Sequence, residues 1–90
     1  MSSTRIQIHG HVRSIIDPDG AVVLDLRKGR YYSLNSVGAE IWTLIEAGRS
    51  VPEVEAHLRD ALGAPPETVG ADVAGFLADL ADRELIDVGT

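Results

Sequence analysis

The spacing of apolar residues changes once along this chain, near Asn35, and that change constrains the fold more than any other feature. Before Asn35 the apolar residues are mostly β-branched and alternate between turn residues, which is typical of strands. After Asn35 they recur every three or four residues, which is typical of amphipathic helices. Strands followed by helices predict an α+β fold, and 90 residues predict one domain spanning residues 1–90.

The first third predicts a three-stranded antiparallel meander. Residues 6–16 predict one broken or bulged strand region, and Asp17–Gly20 predicts a turn with its glycine at positive φ. Ala21–Leu26 is the clearest strand, because it is apolar and rich in valine. Arg27–Gly29 then closes a hairpin, so Arg30–Leu34 returns as the last strand and Ala21–Leu26 lies in the middle.

The remainder predicts three helices, and therefore a winged-helix-like α+β domain. The first helix is predicted to begin at Asn35 or Ser36 and to end at Gly48. The second begins with a capping box of Ser50 and Glu53 and ends at Gly63. The third begins at Pro65 and Pro66. The residues expected to face the core are Val37, Ile41, Leu44 and Ile45, then Val51, Val54, Leu58 and Leu62, then Val69, Val73, Phe76, Leu77 and Leu80. The apolar tail Leu85, Ile86 and Val88 predicts only a turn or a stub strand.

Composition excludes several classes of function. The chain has no cysteine, which rules out disulfides, thiolate nucleophiles and cysteine metal sites. No apolar run approaches the roughly 18 residues that a membrane span needs. The N-terminal residues lack the apolar block of a signal peptide, so we expect a cytoplasmic protein without membrane contact.

Two sets of residues could form a metal site or a catalytic site, but the sequence supports neither. His9 and His11 share a face if they lie on a strand, but only His57 could join them as a ligand, so no metal or other cofactor is expected. Ser33, His57 and Asp60 contain the residue types of a hydrolytic triad, but nothing in the sequence places a base beside the serine. We therefore expect a protein that is not an enzyme.

Charge argues against a nucleic-acid partner. Residues 1–50 carry a net charge of +1, with basic residues around the Arg27–Arg30 turn, whereas residues 51–90 carry −7. The third helix has one terminal basic residue, Arg83, against four acidic ones: Glu67, Asp72, Asp79 and Asp82. A winged helix that binds DNA remains an alternative interpretation, but this helix would repel the phosphate backbone.

The strand Arg30–Leu34 is predicted to lie at the edge of the sheet without the proline or bulge that normally protects such an edge. Either the third helix covers this edge, or a groove between the two accepts an extended peptide as an added strand. The tyrosines favour the groove, since they combine rigid apolar area with a polar tip. The candidate peptide-binding residues are Arg30, Tyr31, Tyr32, Ser33 and Leu34 on the strand, and Val69, Asp72, Val73, Phe76 and Leu77 on the helix.

An ordered set of short motifs resembles the PqqD-like family, the precursor-recognition elements of ribosomally synthesised and modified peptides. It comprises Gly29–Asn35, then Gly38-Ala39-x-Ile41-Trp42-x-Leu44-Ile45, Ser50-Val51-x-Glu53, Asp72-Val73-x-x-Phe76-Leu77-x-x-Leu80, and Leu85-Ile86. Within that family, Asp25, Gly29, Tyr31, Tyr32, Leu34 and Asn35 resemble the leader-binding proteins of lasso-peptide gene clusters. One departure is Glu84, where relatives commonly have glycine.

The resemblance implies a leader-binding adaptor. Its implied partners are the leader of a precursor peptide, a transglutaminase-like leader peptidase and an asparagine-synthetase-like macrolactam synthetase. A PqqD-like protein that delivers another precursor to a radical SAM enzyme is the alternative within this class.

Overall fold

The computed structural model describes residues 5–89, which form a three-stranded sheet, a two-stranded sheet and three helices. The elements in chain order are β1 Arg5–Ile8, β2 Val12–Asp17, β3 Gly20–Asp25, β4 Arg30–Leu34, α1 Ser36–Glu46, α2 Val51–Leu62, α3 Pro66–Asp82 and β5 Ile86–Gly89. None of the helices in this part of the chain is long and apolar enough to cross a membrane.

The predicted meander is confirmed, with β3 between β2 and β4 and both pairs antiparallel. The prediction of one strand region over residues 6–16 is wrong. The chain turns between His9 and Val12, where the Val12 amide donates to the His9 carbonyl at 3.1 Å, so β1 and β2 enter different sheets. β1 instead pairs with β5, which is the apolar tail predicted as a turn or stub strand, with Ile8 opposite Ile86.

The predicted helix starts are confirmed, those of α1 and α2 by side-chain hydrogen bonds. The Asn35 side chain accepts from the Gly38 amide at 2.8 Å, which caps α1. Ser50 and Glu53 form the complete capping box of α2, in which each side chain accepts from the other's backbone amide. α3 begins at Pro66, where a missing N–H costs nothing because the first turn has no helical acceptor for it.

The core lies between the inner face of the three-stranded sheet and the three helices. Its centre is Trp42, fully buried on α1 although the sequence stripe omitted it, together with Val23, Val54 and Val73. The buried face of α1 includes Ile41, Trp42 and Ile45. Leu62, predicted to face inward, is 51% exposed, because it lies in the last turn of α2 beyond the segment that packs on the core.

Gly20 has a different role from the one its turn predicted. Positive φ is found at Gly29, Gly48 and Gly63 among the described glycines, and not at Gly20. Gly20 instead opens β3 directly against β4, and a side chain there would overlap the carbonyl oxygen of Leu34. Glycine is required at this position because the backbone at the end of β4 occupies the space.

Candidate binding groove

A groove of about 420 Å³ separates the outer edge of β4 from the C-terminal half of α3. Among the described residues β4 pairs with β3 alone, so its other edge has no strand partner. The groove is lined by Tyr31, Tyr32, Ser33, Leu34, Asp79, Leu80 and Arg83. Of the two arrangements that the sequence left open, the structure therefore has the groove rather than a helix packed over the edge.

The hydrogen bonds of the meander identify which β4 residues face the groove. The Leu26 amide donates to the His11 carbonyl at 2.9 Å, so the backbone of Leu26 points toward β2. The backbone N–H and C=O groups of successive residues point to opposite sides of a strand, so those of Asp25 and Val23 point toward β4. The Asp25 carbonyl agrees with this assignment, since it accepts from the Gly29 amide of the hairpin at 2.9 Å.

The register then assigns the two alternate sets of β4. Asp25 lies opposite Arg30, and Val23 lies opposite Tyr32. Arg30, Tyr32 and Leu34 therefore use their backbone groups in the ladder with β3. The N–H and C=O groups of Tyr31 and Ser33 point away from β3, and we call these four groups the open edge.

The two tyrosines face opposite sides of the sheet, since side chains alternate along a strand. Tyr32 is half-buried, and the Arg83 guanidinium lies over its ring at 4.6 Å from the centroid. Tyr31 is 70% exposed on the outer face of the sheet, in register with Leu24. Only Tyr32 therefore presents its ring to the side occupied by α3.

Asp79 and Arg83 form a polar wall that the sequence analysis did not identify as part of the site. Arg83 Nε donates to Asp79 Oδ2 at 3.1 Å, and this hydrogen bond is the main cause that raises the pKa of Arg83 above its usual value. The two residues follow Phe76 at helical spacings of three and seven, so they share its face of α3. That spacing is visible in the sequence, where the same two residues are also among the charges of the third helix that argue for or against a DNA partner.

The predicted helix residues other than Phe76 occupy two different environments. Val69, Val73 and Leu77 are 2%, 0% and 5% exposed and face the core, so their contact with a peptide stays a prediction. Asp72 is exposed one turn before Phe76 and does not line the groove of the free protein. Its role also stays a prediction.

Phe76 does not line the groove of the free protein but lies beside its Leu34 end, next to Gly38 of α1. It is half-buried, and its ring and the Leu34 side chain both approach Gly38. A methyl group added at Gly38 would lie 3.2 Å from Phe76 Cε1 and 3.3 Å from Leu34 Cβ. The small residue at Gly38 therefore lets the ring pack between α3 and the end of β4.

Asp25 fixes the hairpin that precedes β4. Its side chain is buried, and Oδ1 accepts from the amides of Arg27 at 3.0 Å and Lys28 at 2.9 Å. The pKa of Asp25 is lowered chiefly by the hydrogen bond from Lys28, with His11 also contributing, and these effects outweigh the opposing effect of burial. An aspartate that binds amides two and three residues ahead sets the turn, and with it the register of β4.

The histidines that were considered as ligands lie near carboxylates. His9 and His11 stack edge to face at 5.2 Å, and their Nε2 atoms lie 3.1 Å from Asp87 and 3.6 Å from Asp25. These acidic neighbours could not be predicted from the sequence, because they come from distant segments. Within residues 5–89, no three metal-ligating side chains converge on a common point.

The fold and the groove define a small winged-helix-like domain with an open sheet edge beside its third helix. The family profile described as coenzyme PQQ synthesis protein D (PqqD) matches residues 20–86. This chain belongs to the PqqD family. No curated protein matches the sequence.

Three solved structures share the fold. The chain is 33% identical to the protein in "TbiB1 in Complex with the TbiA(beta) Leader Peptide", with a TM-score of 0.87 over 90% of this chain and 94% of that one. "Lasso peptide synthetase B1 complexed with the leader peptide" has 22% identity and a TM-score of 0.83, over 91% and 96% of the two chains. A PqqD truncation of Methylobacterium extorquens PqqCD, described as a stand-alone RiPP recognition element, has 21% identity and a TM-score of 0.75, over 92% and 88%. The latter two support the fold alone.

Proposed function

We propose that this protein binds the leader segment of a lasso-peptide precursor as an added strand along β4. The observation that carries the proposal is the open edge, because the backbone groups of Tyr31 and Ser33 point away from β3 into an accessible groove. The likeness to TbiB1, whose structure was solved with a leader peptide, supports it at 33% identity.

The groove offers an extended peptide both backbone and side-chain partners. A strand pairing with β4 would meet two donors and two acceptors, the N–H and C=O groups of Tyr31 and Ser33. Peptide side chains on the α3 side would meet Phe76 at one end of the groove and Arg83 over Tyr32 at the other. Backbone pairing supplies sequence-independent affinity, and the two ends supply selectivity.

The further steps belong to the same proposal. The protein acts without catalysis, in the cytoplasm, and presents the bound precursor to a transglutaminase-like leader peptidase. An asparagine-synthetase-like macrolactam synthetase then acts on the released core. Support for these partners comes from the resemblance of Gly29–Asn35 to lasso-cluster proteins.

The test is a titration of ¹⁵N-labelled protein with the leader of the precursor encoded beside its gene. A scrambled peptide of the same composition and a DNA duplex at low salt serve as controls. We expect the Tyr31 and Ser33 amides to shift and to become protected from exchange only with the leader, whereas the Tyr32 amide is already protected. Binding of the leader without these changes would contradict strand addition, and equal binding of the scrambled peptide would contradict recognition.

A further inference from the structure

Glu84 occupies a backbone conformation that normally selects glycine. Its φ is +62°, and it is the one residue other than glycine with positive φ in the part of the chain that the structure describes. It ends α3 in a Schellman motif, in which the Glu84 amide donates to Ala81 and the Leu85 amide donates to Leu80, both at 3.0 Å. Because a side chain is disfavoured in this conformation, glutamate here has to be explained by what its carboxylate contacts.

The carboxylate contacts the tip of the β3–β4 hairpin. Glu84 Oε1 accepts from Lys28 Nζ, and Oε2 lies 3.7 Å from the Arg27 guanidinium. The hydrogen bond from Lys28 is the main cause that lowers the pKa of Glu84, and the charges of Lys28 and Arg27 add to it. The basic turn that the sequence showed and the unusual residue at the end of α3 therefore form one set of contacts, which we call the hairpin–helix ion pairs.

These ion pairs join the two walls of the groove at one end. Glu84 directly follows Arg83, the groove residue that caps the end of α3, and Lys28 lies two residues before Arg30, the first residue of β4. The walls meet at the other end through Phe76, Leu34 and Gly38. Between these two attachments, β4 and α3 face each other across the groove.

We propose that Glu84 is a positioning residue for peptide capture, which sets the separation of β4 and α3 through Lys28 and Arg27. The proposal rests on the proposed function of the groove. Glycine at this position would relax the backbone, whereas glutamate holds the hairpin over the helix end. Since all three side chains are partly exposed, salt weakens the contact, and the affinity for a peptide should fall as ionic strength rises.

The experiment compares Glu84→Gly, Glu84→Gln and the charge exchange Lys28→Glu with Glu84→Lys. Asp82→Asn is the matched control, because it removes one exposed negative charge from the same end of α3. The probe is the fluorescein-labelled leader of the precursor encoded beside the gene, followed by anisotropy at low and high salt. Each variant is also melted, to separate positioning from stability.

We expect Glu84→Gly to melt no lower than wild type but to bind the leader several-fold more weakly at low salt. Its affinity should also depend less on salt than that of wild type. Glu84→Gln should lose affinity as well, the charge exchange should recover part of it, and Asp82→Asn should bind as wild type does. Wild-type affinity in Glu84→Gly at low salt would overturn the inference.

Amide exchange in the free protein separates this inference from the proposed function. If Glu84 positions the hairpin, the Gly29 and Arg30 amides, which are bonded within the hairpin, should exchange faster in Glu84→Gly than in wild type without any peptide. Unchanged exchange would overturn the positioning role. Failure of wild type to bind the leader would instead refute the proposed function, and the exchange experiment would still decide the role of Glu84.

Discussion

Proline substitution on β4 separates the two backbone sets that the register defines. Ser33→Pro removes an N–H that points into the groove, so it deletes no bond to β3, and the exposed Ser33 side chain loses little packing. We expect its free energy of unfolding to stay within about 1 kcal/mol of wild type, because surface substitutions usually change it by about 0.5 kcal/mol and the proline ring adds some strain. Tyr32→Pro removes an N–H that β3 uses and also the half-buried ring under Arg83.

The expected changes in stability and in peptide affinity follow from those contacts. An unsatisfied ladder carbonyl costs about 1–3 kcal/mol, so with the lost ring Tyr32→Pro should destabilise by about 2–4 kcal/mol. At roughly 4–8 °C per kcal/mol for a domain of this size, its melting midpoint should fall by about 10 °C or more. For peptide binding, Ser33→Pro loses one backbone bond worth about 0.5–1.5 kcal/mol, and its ring also obstructs the incoming strand. We therefore expect a loss of affinity of about tenfold or more, since each 1.4 kcal/mol is a factor of ten.

The assay is thermal melting followed by circular dichroism, together with anisotropy of the labelled leader. Ser33→Ala is the control, because it removes the hydroxyl and keeps the amide, and it should bind as wild type does. A folded Ser33→Pro that binds the leader normally would refute strand addition at this edge. A Ser33→Pro that unfolds while Tyr32→Pro melts normally would show that the backbone sets are assigned the wrong way round.

Three further predictions concern the hairpin and the groove. Gly20→Ala should destabilise by about 1–3 kcal/mol in a denaturant titration, because the methyl would overlap the backbone at the end of β4, whereas Gly10→Ala has open space and should change little. Asp25→Asn should melt below wild type at neutral pH. The hydrogen bond from Lys28 lowers the pKa of Asp25 in the folded protein, so the stabilisation by this carboxylate is present above about pH 4 and is lost as the pH falls further. The melting midpoints of wild type and Asp25→Asn should therefore converge at low pH. A difference between the two midpoints that does not change with pH would contradict this role. Asp72→Ala should weaken leader binding in the anisotropy assay and leave the melting midpoint nearly unchanged, because the side chain is exposed; unaltered affinity would remove it from the site.

The sequence predicted correctly those structural elements that depend on residues close together in the chain. The capping box of Ser50 and Glu53, the Asn35 cap and the turn at Gly29 each depend on residues within a few positions of one another. The meander and three helices followed from these signals and from the apolar spacing. The break between β1 and β2 did not, because β1 is separated from β2 by its pairing with β5 at the far end of the chain.

The site was predicted in part for the same reason. The edge position of β4 followed from the order of the strands, but the choice of Tyr31 and Ser33 as the open edge needed the hydrogen bond from Leu26 to His11. Arg83 reaches Tyr32 only in the folded chain. The core positions of Val69 and Val73 are consistent with their apolar stripe, and a stripe alone cannot separate residues that face a core from residues that line a groove beside it.

The pairing of β1 with β5 also bears on the order in which the strand pairs form during folding. Ile8 and Ile86 come from opposite ends of the described chain, so among the described strand pairs their contact closes the longest loop and carries the greatest entropic cost of closure. The β3–β4 hairpin, by contrast, closes over four residues between Asp25 and Arg30. During synthesis β1 is made before its partner β5, so it cannot pair until the end of the domain has been made. The β3–β4 hairpin, which carries the open edge, can form before that. We therefore expect β4 to form early in folding and the pairing of β1 with β5 to form late.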